Sequence, residues 1–312
     1  MMKDKLSQNI AKIGPLIGLI FIIIILSFLS DSFLTVDNIL NLLRQISINA
    51  LIAFGMTFVI LTAGIDLSVG SLLALGSALT AGMVSSGMDP MLAIFLGLII
   101  GLLLGGLNGV IITKGKVAPF IATLATMTIF RGATLVYTDG KPVTGLSDSM
   151  VFTMMGKGYF FWIPIPVIIM LVVFLILYFV LNNTVFGRRV YAVGGNEEAA
   201  TLSGVKSDRI KIMVYALTGM LAVLAGIILT SRLNSAQPTA GTMYELDAIA
   251  AVVIGGTSLM GGRGRITGTL IGALIIGVIS NGLNLLNVSS FYQQIVKGAV
   301  ILFAVMLDRS KD

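Results

Sequence analysis

The chain has 312 residues, of which 56% are hydrophobic and only 11% charged, with a mean hydropathy of +1.02 and a net charge of +6. That balance excludes a water-soluble globular domain of ordinary surface polarity and points to a polytopic integral membrane protein. The absence of cysteine and histidine also excludes disulfides, thiolate catalysis, iron–sulfur clusters and the usual zinc and haem ligands.

Apolar runs recur along the whole length, near residues 13–29, 46–63, 69–87, 91–112, 119–137, 163–182, 212–230, 246–261, 266–286 and 291–307. Each is close to the length that crosses a hydrocarbon core of roughly 30 Å as an α-helix. The expected fold class is therefore all-α, a polytopic membrane protein with about ten transmembrane helices. Helices are required because every backbone polar group in lipid needs an internal partner, and the runs are too continuous for barrel strands. The first run, GPLIGLIFIIIILSFLS, follows a basic start but has no small-residue cleavage site after it, so it is read as a retained span.

An even number of spans puts both termini on one side. Lys3, Lys5, Lys12, Lys114, Lys116, Arg188, Arg189, Lys206, Arg209, Lys211, Arg263, Arg265, Arg309 and Lys311, most of the 20 Lys and Arg, then fall on that same side. The positive-inside rule makes it cytoplasmic. The net charge reads as a topology signal and an affinity for anionic membrane lipid. With no basic helix or aromatic platform in a soluble region, no nucleic-acid partner is expected. The longest polar segments, cytoplasmic 183–211 and external 138–161, are too short to bury a core of their own, so residues 1–312 read as a single transmembrane domain.

Neutral polar residues inside the spans are candidates to line a solute pathway: Asn49 and Thr57, then Asn108, then Thr123, Thr126 and Thr128, then Asn281 and Asn284. Asn281 and Asn284 are favoured, because a spacing of three puts them on one helix face. The alternative is that these side chains hold the bundle together through interhelical hydrogen bonds. Asp66 and Ser68 lie at a glycine-flanked break, AGIDLSVGS, where they form part of an inner gate, or where Asp66 instead caps the next helix or pairs with a base near the cytoplasmic surface. Arg131, Asp247 and Lys297 sit in or near spans and need partners, Asp247 with either Lys297 or Arg131.

No nucleotide site is visible. Gly115-Lys116 is followed by Val117, and GGRGRITGT at 261–269 lacks the Gly-Lys-Ser/Thr of a phosphate-binding loop. The polar stretch from Gly194 to Lys211 is the counterpart of that absence. There Asn196 can cap a short helix whose first turn holds Glu197 and Glu198, and Gly204 can end it. Displaying Ala199, Ala200 and Leu202 between flanking arginines and lysines, such a helix suits a groove on a cytoplasmic partner. A solvated, headgroup-binding loop is the alternative.

Glu198-Ala199-Ala200 with Gly204 four residues on matches an EAAxxxG pattern, and longer stretches accompany it: TAGIDLSVGSLLAL (Thr62 to Leu75), APFIATL (Ala118 to Leu124), YAVGGNEEAATLSGV (Tyr191 to Val205) and the run from Ser235 to Gln293. In these stretches the chain resembles the permease subunits of bacterial ribose-type monosaccharide ATP-binding-cassette importers. The resemblance covers nearly the full chain. It implies a homodimer of permeases in the bacterial plasma (inner) membrane, an ATPase subunit with two cassettes that holds ATP and Mg, and an extracytoplasmic sugar-binding protein. The permease would bind no cofactor itself, would contact the ATPase through Gly195 to Gly204, and would carry D-ribose or a related monosaccharide. Stripping a sugar hydroxyl of water without replacement costs about 2–7 kcal/mol, so its pathway must be wet or polar. An ion-coupled secondary sugar transporter using Asp66 is the rival reading. An intramembrane enzyme lacks the constellation it would need.

Overall fold

The computed structural model describes residues 2–146 and 149–309. In chain order its helices are α1 (Met2–Leu29), α2 (Val36–Leu61), α3 (Val69–Ser85), α4 (Pro90–Thr113), α5 (Pro119–Thr138) and α6 (Met150–Lys157). A two-stranded antiparallel hairpin of β1 (Tyr159–Phe160) and β2 (Ile163–Pro164) follows, with Tyr159 opposite Pro164 and Phe160 opposite Ile163. The remaining helices are α7 (Ile165–Asn183), α8 (Val185–Gly195), α9 (Glu197–Leu202), α10 (Ser207–Leu233), α11 (Tyr244–Ile254), α12 (Ile266–Leu285) and α13 (Ser290–Arg309).

Among the described residues, α2, α4, α5, α7, α10 and α12 are each long and apolar enough to cross a membrane, and Gly14–Leu29 and α3 are shorter apolar helices. α2 is central. From Ile46 to Leu61 every residue except Asn49 is buried, beneath α7, α10, α11 and α12. By contrast α4 and α7 leave Phe95, Leu103, Leu175 and Phe179 exposed, as lipid-facing helices do. Phe160, Phe161 and Trp162 project from the hairpin, the placement expected of aromatic side chains at a membrane–water interface.

Close packing is built from glycine. On α4, Ala93, Gly97, Gly101, Gly105 and Gly109 recur every four residues and are all buried, forming one small-residue seam. α10 lies in it. A Cβ on Gly101 would stand 2.7 Å from the Gly219 carbonyl oxygen and one on Gly109 2.6 Å from Ile212 Cα, while one on Gly105 would overlap the Tyr215 carbonyl. α2 and α12 are joined instead by polar side chains. Thr57 and Thr269 share a 2.7 Å hydroxyl bond, and Asn38 and Asn281 exchange amide bonds of 2.8 and 3.0 Å.

One expectation needs correction. The run 246–261 is not a full helical span, because α11 stops at Ile254 after 11 residues, about 16 Å of helix against a core of roughly 30 Å. What ends it is glycine, Gly255 at the cap and Gly256 with positive φ after it, and Gly261 and Gly262, also at positive φ, turn the chain again before α12. Within the polar segment 138–161, α6 packs on the bundle. Ser149 caps α6 by accepting the Phe152 N–H, Phe152 is buried, and the Gly156 N–H donates to Ser231 Oγ on α10 at 2.8 Å.

Gly105→Val is expected to push α4 away from α10 and to lower the thermal unfolding midpoint in detergent, at a cost of about 1–3 kcal/mol. Gly132→Ala, whose added Cβ meets nothing within 4 Å, should leave the midpoint unchanged or raise it, with a stability gain of up to about 1 kcal/mol. Matching midpoints for Gly105→Val and wild type would show that the seam is not tightly closed.

Candidate functional site

The polar stretch after α7 is helical almost throughout. Thr184 starts α8 by accepting the Gly187 N–H at 3.2 Å, and α8 runs to Gly195. At Asn196 the backbone is extended (φ −162, ψ 104), and Asn196 Oδ1 accepts the Ala199 N–H at 2.9 Å, which caps α9 as expected. Glu197 and Glu198 occupy the first turn, and Gly204 (φ +86) ends the helix in the left-handed region. That conformation suits glycine.

α9 is a ridge held at its base. Lys211 Nζ donates to Glu197 Oε2 at 2.5 Å, the Thr201 and Ser207 hydroxyls lie 2.7 Å apart, and Lys114 Nζ reaches Asp208 Oδ2 at 2.6 Å. On one side a hollow of about 490 Å³ is lined by Lys114, Glu197, Thr201, Lys206, Asp208 and Arg209. A second hollow of about 380 Å³ is lined by Arg189, Gly204, Lys206 and Arg209. Gly195, Asn196, Glu197, Glu198, Ala199 and Gly204 are exposed, and Leu202 presents an apolar side chain that is 84% exposed. Ala200 is not displayed as expected: it is buried against the bundle, because the short helix needs one face to hold it there.

The end of α8 touches two other segments through bare backbone. The Gly262 N–H donates to the Leu61 carbonyl at the end of α2, at 3.0 Å. Gly194 lies against that same carbonyl, Gly261 against Ala63, and Gly262 against Gly195. Tyr191 adds a 2.9 Å bond from its hydroxyl to the Gly264 carbonyl. Sequence reasoning alone does not bring Leu61, Tyr191, Gly194 and Gly262 together here. The paired glycines 194–195 and 261–262 were the available signal.

Asp66 is fully buried between α2 and α3. Its Oδ1 accepts both the Ser68 N–H at 2.9 Å and the Ser68 hydroxyl at 2.6 Å, and Asn108 Nδ2 donates to Ser68 Oγ at 2.8 Å. Since the Ser68 proton goes to the carboxylate, Asn108 must present its NH₂ to Ser68. Asp66 Oδ2 and Asn108 Oδ1 are buried without a donor. Asp66 does not cap α3, whose N-cap position is Ser68 with no side-chain cap bond. It folds the turn ahead of that helix. Burial pushes its carboxyl up to about 6, against the lowering effect of the two Ser68 bonds.

The expected pathway residues do not converge on one channel. Thr57 and Asn281 are committed to the α2–α12 bonds, Asn108 to Ser68, and Asn284 accepts from Gln293 Nε2 at 2.8 Å. Asn49 is half-buried on α2. Of the charged residues, Asp247 pairs with Lys297 at 2.8 Å, and Arg131 instead donates to the Pro238 carbonyl at 2.6 Å.

A family profile described as branched-chain amino acid transport system / permease component matches residues 38–305. The chain is 68% identical over 300 residues to the ribose import permease protein of Bacillus subtilis, covering 96% of this chain and 93% of that one. It is 60% identical to the ribose import permease protein of Haemophilus influenzae, over 94% of this chain and 91% of that one. Identity is 45% with the D-allose transport system permease protein of Escherichia coli, over 96% of this chain and 91% of that one. No solved structure matches the chain.

Asp66 sets a pH signature. Its carboxyl holds a proton more readily in the folded chain than at the ordinary value of 3.8, so the folded state is favoured where the group is neutral in both states. That advantage is lost as pH rises from about 4 to about 6 and is level above. Asp66→Asn cannot ionise. Its unfolding midpoint in detergent, taken relative to wild type, is expected to be higher at about pH 7.5 than at about pH 5. An equal difference at both pH values would refute the buried carboxylate.

Proposed function

The chain belongs to the permease family described as branched-chain amino acid transport system / permease component, and we propose that it is the membrane-spanning subunit of an ATP-driven importer that carries D-ribose or a related monosaccharide into the cytoplasm. It is a multi-pass protein of the bacterial plasma (inner) membrane. Ribose is supported by the order of identities, highest for the two ribose permeases and lower for the allose permease.

The observation that carries the ATP-driven reading is α9, a capped helix with exposed Glu198, Ala199 and Leu202 flanked by two basic-edged hollows. A hydrophobic side chain inside an acidic and basic frame is a docking surface for a soluble partner. The partner is an ATPase with two cassettes that supplies ATP and Mg, since the chain carries no phosphate-binding loop of its own. A second permease copy and an external sugar-binding protein complete the assembly.

The proposed topology has ten crossings, with both termini cytoplasmic. The six long helices supply most of them, α1, α3 and α13 add one each, and α11 together with 255–265 makes the last. Bonds from Lys114 to the start of α10 and from Gly262 to the end of α2 gather the basic loops around α9, in support of that orientation. A second reading, ion-coupled secondary transport, draws on the unpartnered Asp66 Oδ2.

Sugar uptake by reconstituted vesicles separates the two. Uptake is expected to require the ATPase and ATP and to survive a protonophore; flux without ATPase that collapses with the protonophore would establish the ion-coupled reading instead. Glu198→Lys and Gly204→Pro should both insert normally yet lose sugar-stimulated ATP hydrolysis at least tenfold. The proline would be held near φ −65 where the chain needs +86. Unchanged hydrolysis in both variants would remove α9 from the coupling.

A further inference from the structure

At the end of the bundle away from α9, the N-terminal parts of α11 and α13 border a partly open cavity of about 240 Å³, whose wall is apolar over most of its area, at Met243 and Leu246 among others, and carries the polar side chains of Asp247, Ser290, Gln293, Gln294 and Lys297. Its position follows from α12. One end of that helix abuts the loop that touches Gly194, and its 20 residues place the other end about 30 Å away. The cavity lies beside that far end. Its volume is just under the 300–1,000 Å³ typical of sites for drug-sized ligands, which suits a smaller solute.

The lining has a definite hydrogen-bonding pattern. Asp247 Oδ2 accepts from Lys297 Nζ at 2.8 Å, which leaves Oδ1 as an acceptor and further ammonium N–H groups as donors. Gln293 Nε2 donates to both Asn284 Oδ1 and the Val288 carbonyl at 2.8 Å. That fixes which end of the amide is which and leaves Oε1 uncommitted. Among the described residues, Ser290 and Gln294 make no side-chain hydrogen bond, so their polar atoms are available as well.

The ligand class follows from the charge. Asp247 and Lys297 neutralise each other, so the cavity offers closely spaced donors and acceptors with no net charge for an anion or cation to answer. Vicinal hydroxyl groups, each both donor and acceptor, match that pattern. Packing alone gives no reason for the pair, because apolar residues in place of a buried ion pair are often neutral or stabilising.

We propose that this cavity is a monosaccharide subsite at the outward end of the bundle, where Gln293, Gln294 and the Asp247–Lys297 pair hold the sugar's hydroxyls before it crosses. The subsite rests on the sugar-import reading above. It also lies on the path to the coupling helix: α11 runs from the cavity to Gly255, which packs on the Gly268 backbone, and the following loop reaches Leu61 and Gly194. Sugar contact and ATPase contact thus sit at opposite ends of one short segment.

The chain has no cysteine, so Gln294→Cys introduces a unique thiol on an exposed position. With the variant complex in lipid nanodiscs, D-ribose delivered by its binding protein is expected to slow labelling by a polar thiol reagent at least fivefold, and L-leucine to have no effect. In vesicles, Gln293→Leu and Gln294→Leu should each change the ratio of ribose to allose uptake at least fivefold, a selectivity shift that loss of folded protein would not produce. Labelling unaffected by ribose, protection by leucine alone, or an unchanged uptake ratio in both variants would overturn the subsite while wild-type uptake continues. A wild-type complex that imports neither sugar would instead overturn the import reading beneath it.

Discussion

The hydrogen bond from the Gly262 N–H to the Leu61 carbonyl is the point through which the rest of the architecture is connected. Leu61 ends α2, the most enclosed helix, and the last carbonyls of a helix have no partner within it. In an apolar bundle each such group left bare costs several kcal/mol. The donor comes from the turn between α11 and α12, and it can approach only because Gly194 leaves room beside the same carbonyl. Three chain segments therefore share one backbone junction, directly before the exposed helix α9. Side chains can change rotamer to absorb a displacement, but backbone atoms in contact cannot. α9 thus begins directly after a backbone contact shared with the end of α2 and the loop that follows α11.

Polar side chains elsewhere in the bundle divide into those that hold helices and those left available. Asn38 with Asn281 and Thr57 with Thr269 tie α2 to α12 at two levels; bonds of this kind between membrane helices contribute about 0.6–1.7 kcal/mol each. They also consume the groups that a sugar would need. Thr57 and Asn281, polar residues inside apolar runs, thus tie helices in this structure. Polarity in a span marks a group that needs a partner, and a neighbouring helix supplies one more often than a solute does. The pair of Asp66 Oδ2 and Asn108 Oδ1 differs in kind, since the surrounding helices leave both acceptors without a donor.

Much of the fold was legible because the bilayer imposes a length. Six of the expected runs became helices long and apolar enough to span it. The cap at Asn196 and the stop at Gly204 were legible because both rest on local backbone chemistry. α11 was not, since hydropathy counts apolar residues and is blind to the positive φ of Gly256 just past the end of the helix. Ala200 was misjudged for a related reason: a six-residue helix shows no periodicity from which to tell its inner face. The Asp247–Lys297 pair needed a distance to choose it over Arg131. So did every contact at the Leu61 junction, which is made by backbone and leaves only glycine as its trace.

The brevity of α11 then acquires a physical meaning. A helix of full length would place its own closed hydrogen-bond ladder between the two ends of the bundle, and its backbone would have nothing to offer another segment. By stopping after 11 residues, α11 leaves the stretch from 255 to 265 as irregular chain, which membrane proteins tolerate only where neighbouring protein satisfies it. The Leu61 carbonyl, Tyr191 and the glycines of α8 do so. At its other end the same helix carries Asp247, whose carboxylate pairs with a lysine on α13. One short element thus carries an ion pair at one end and leads into a backbone junction beside α9 at the other.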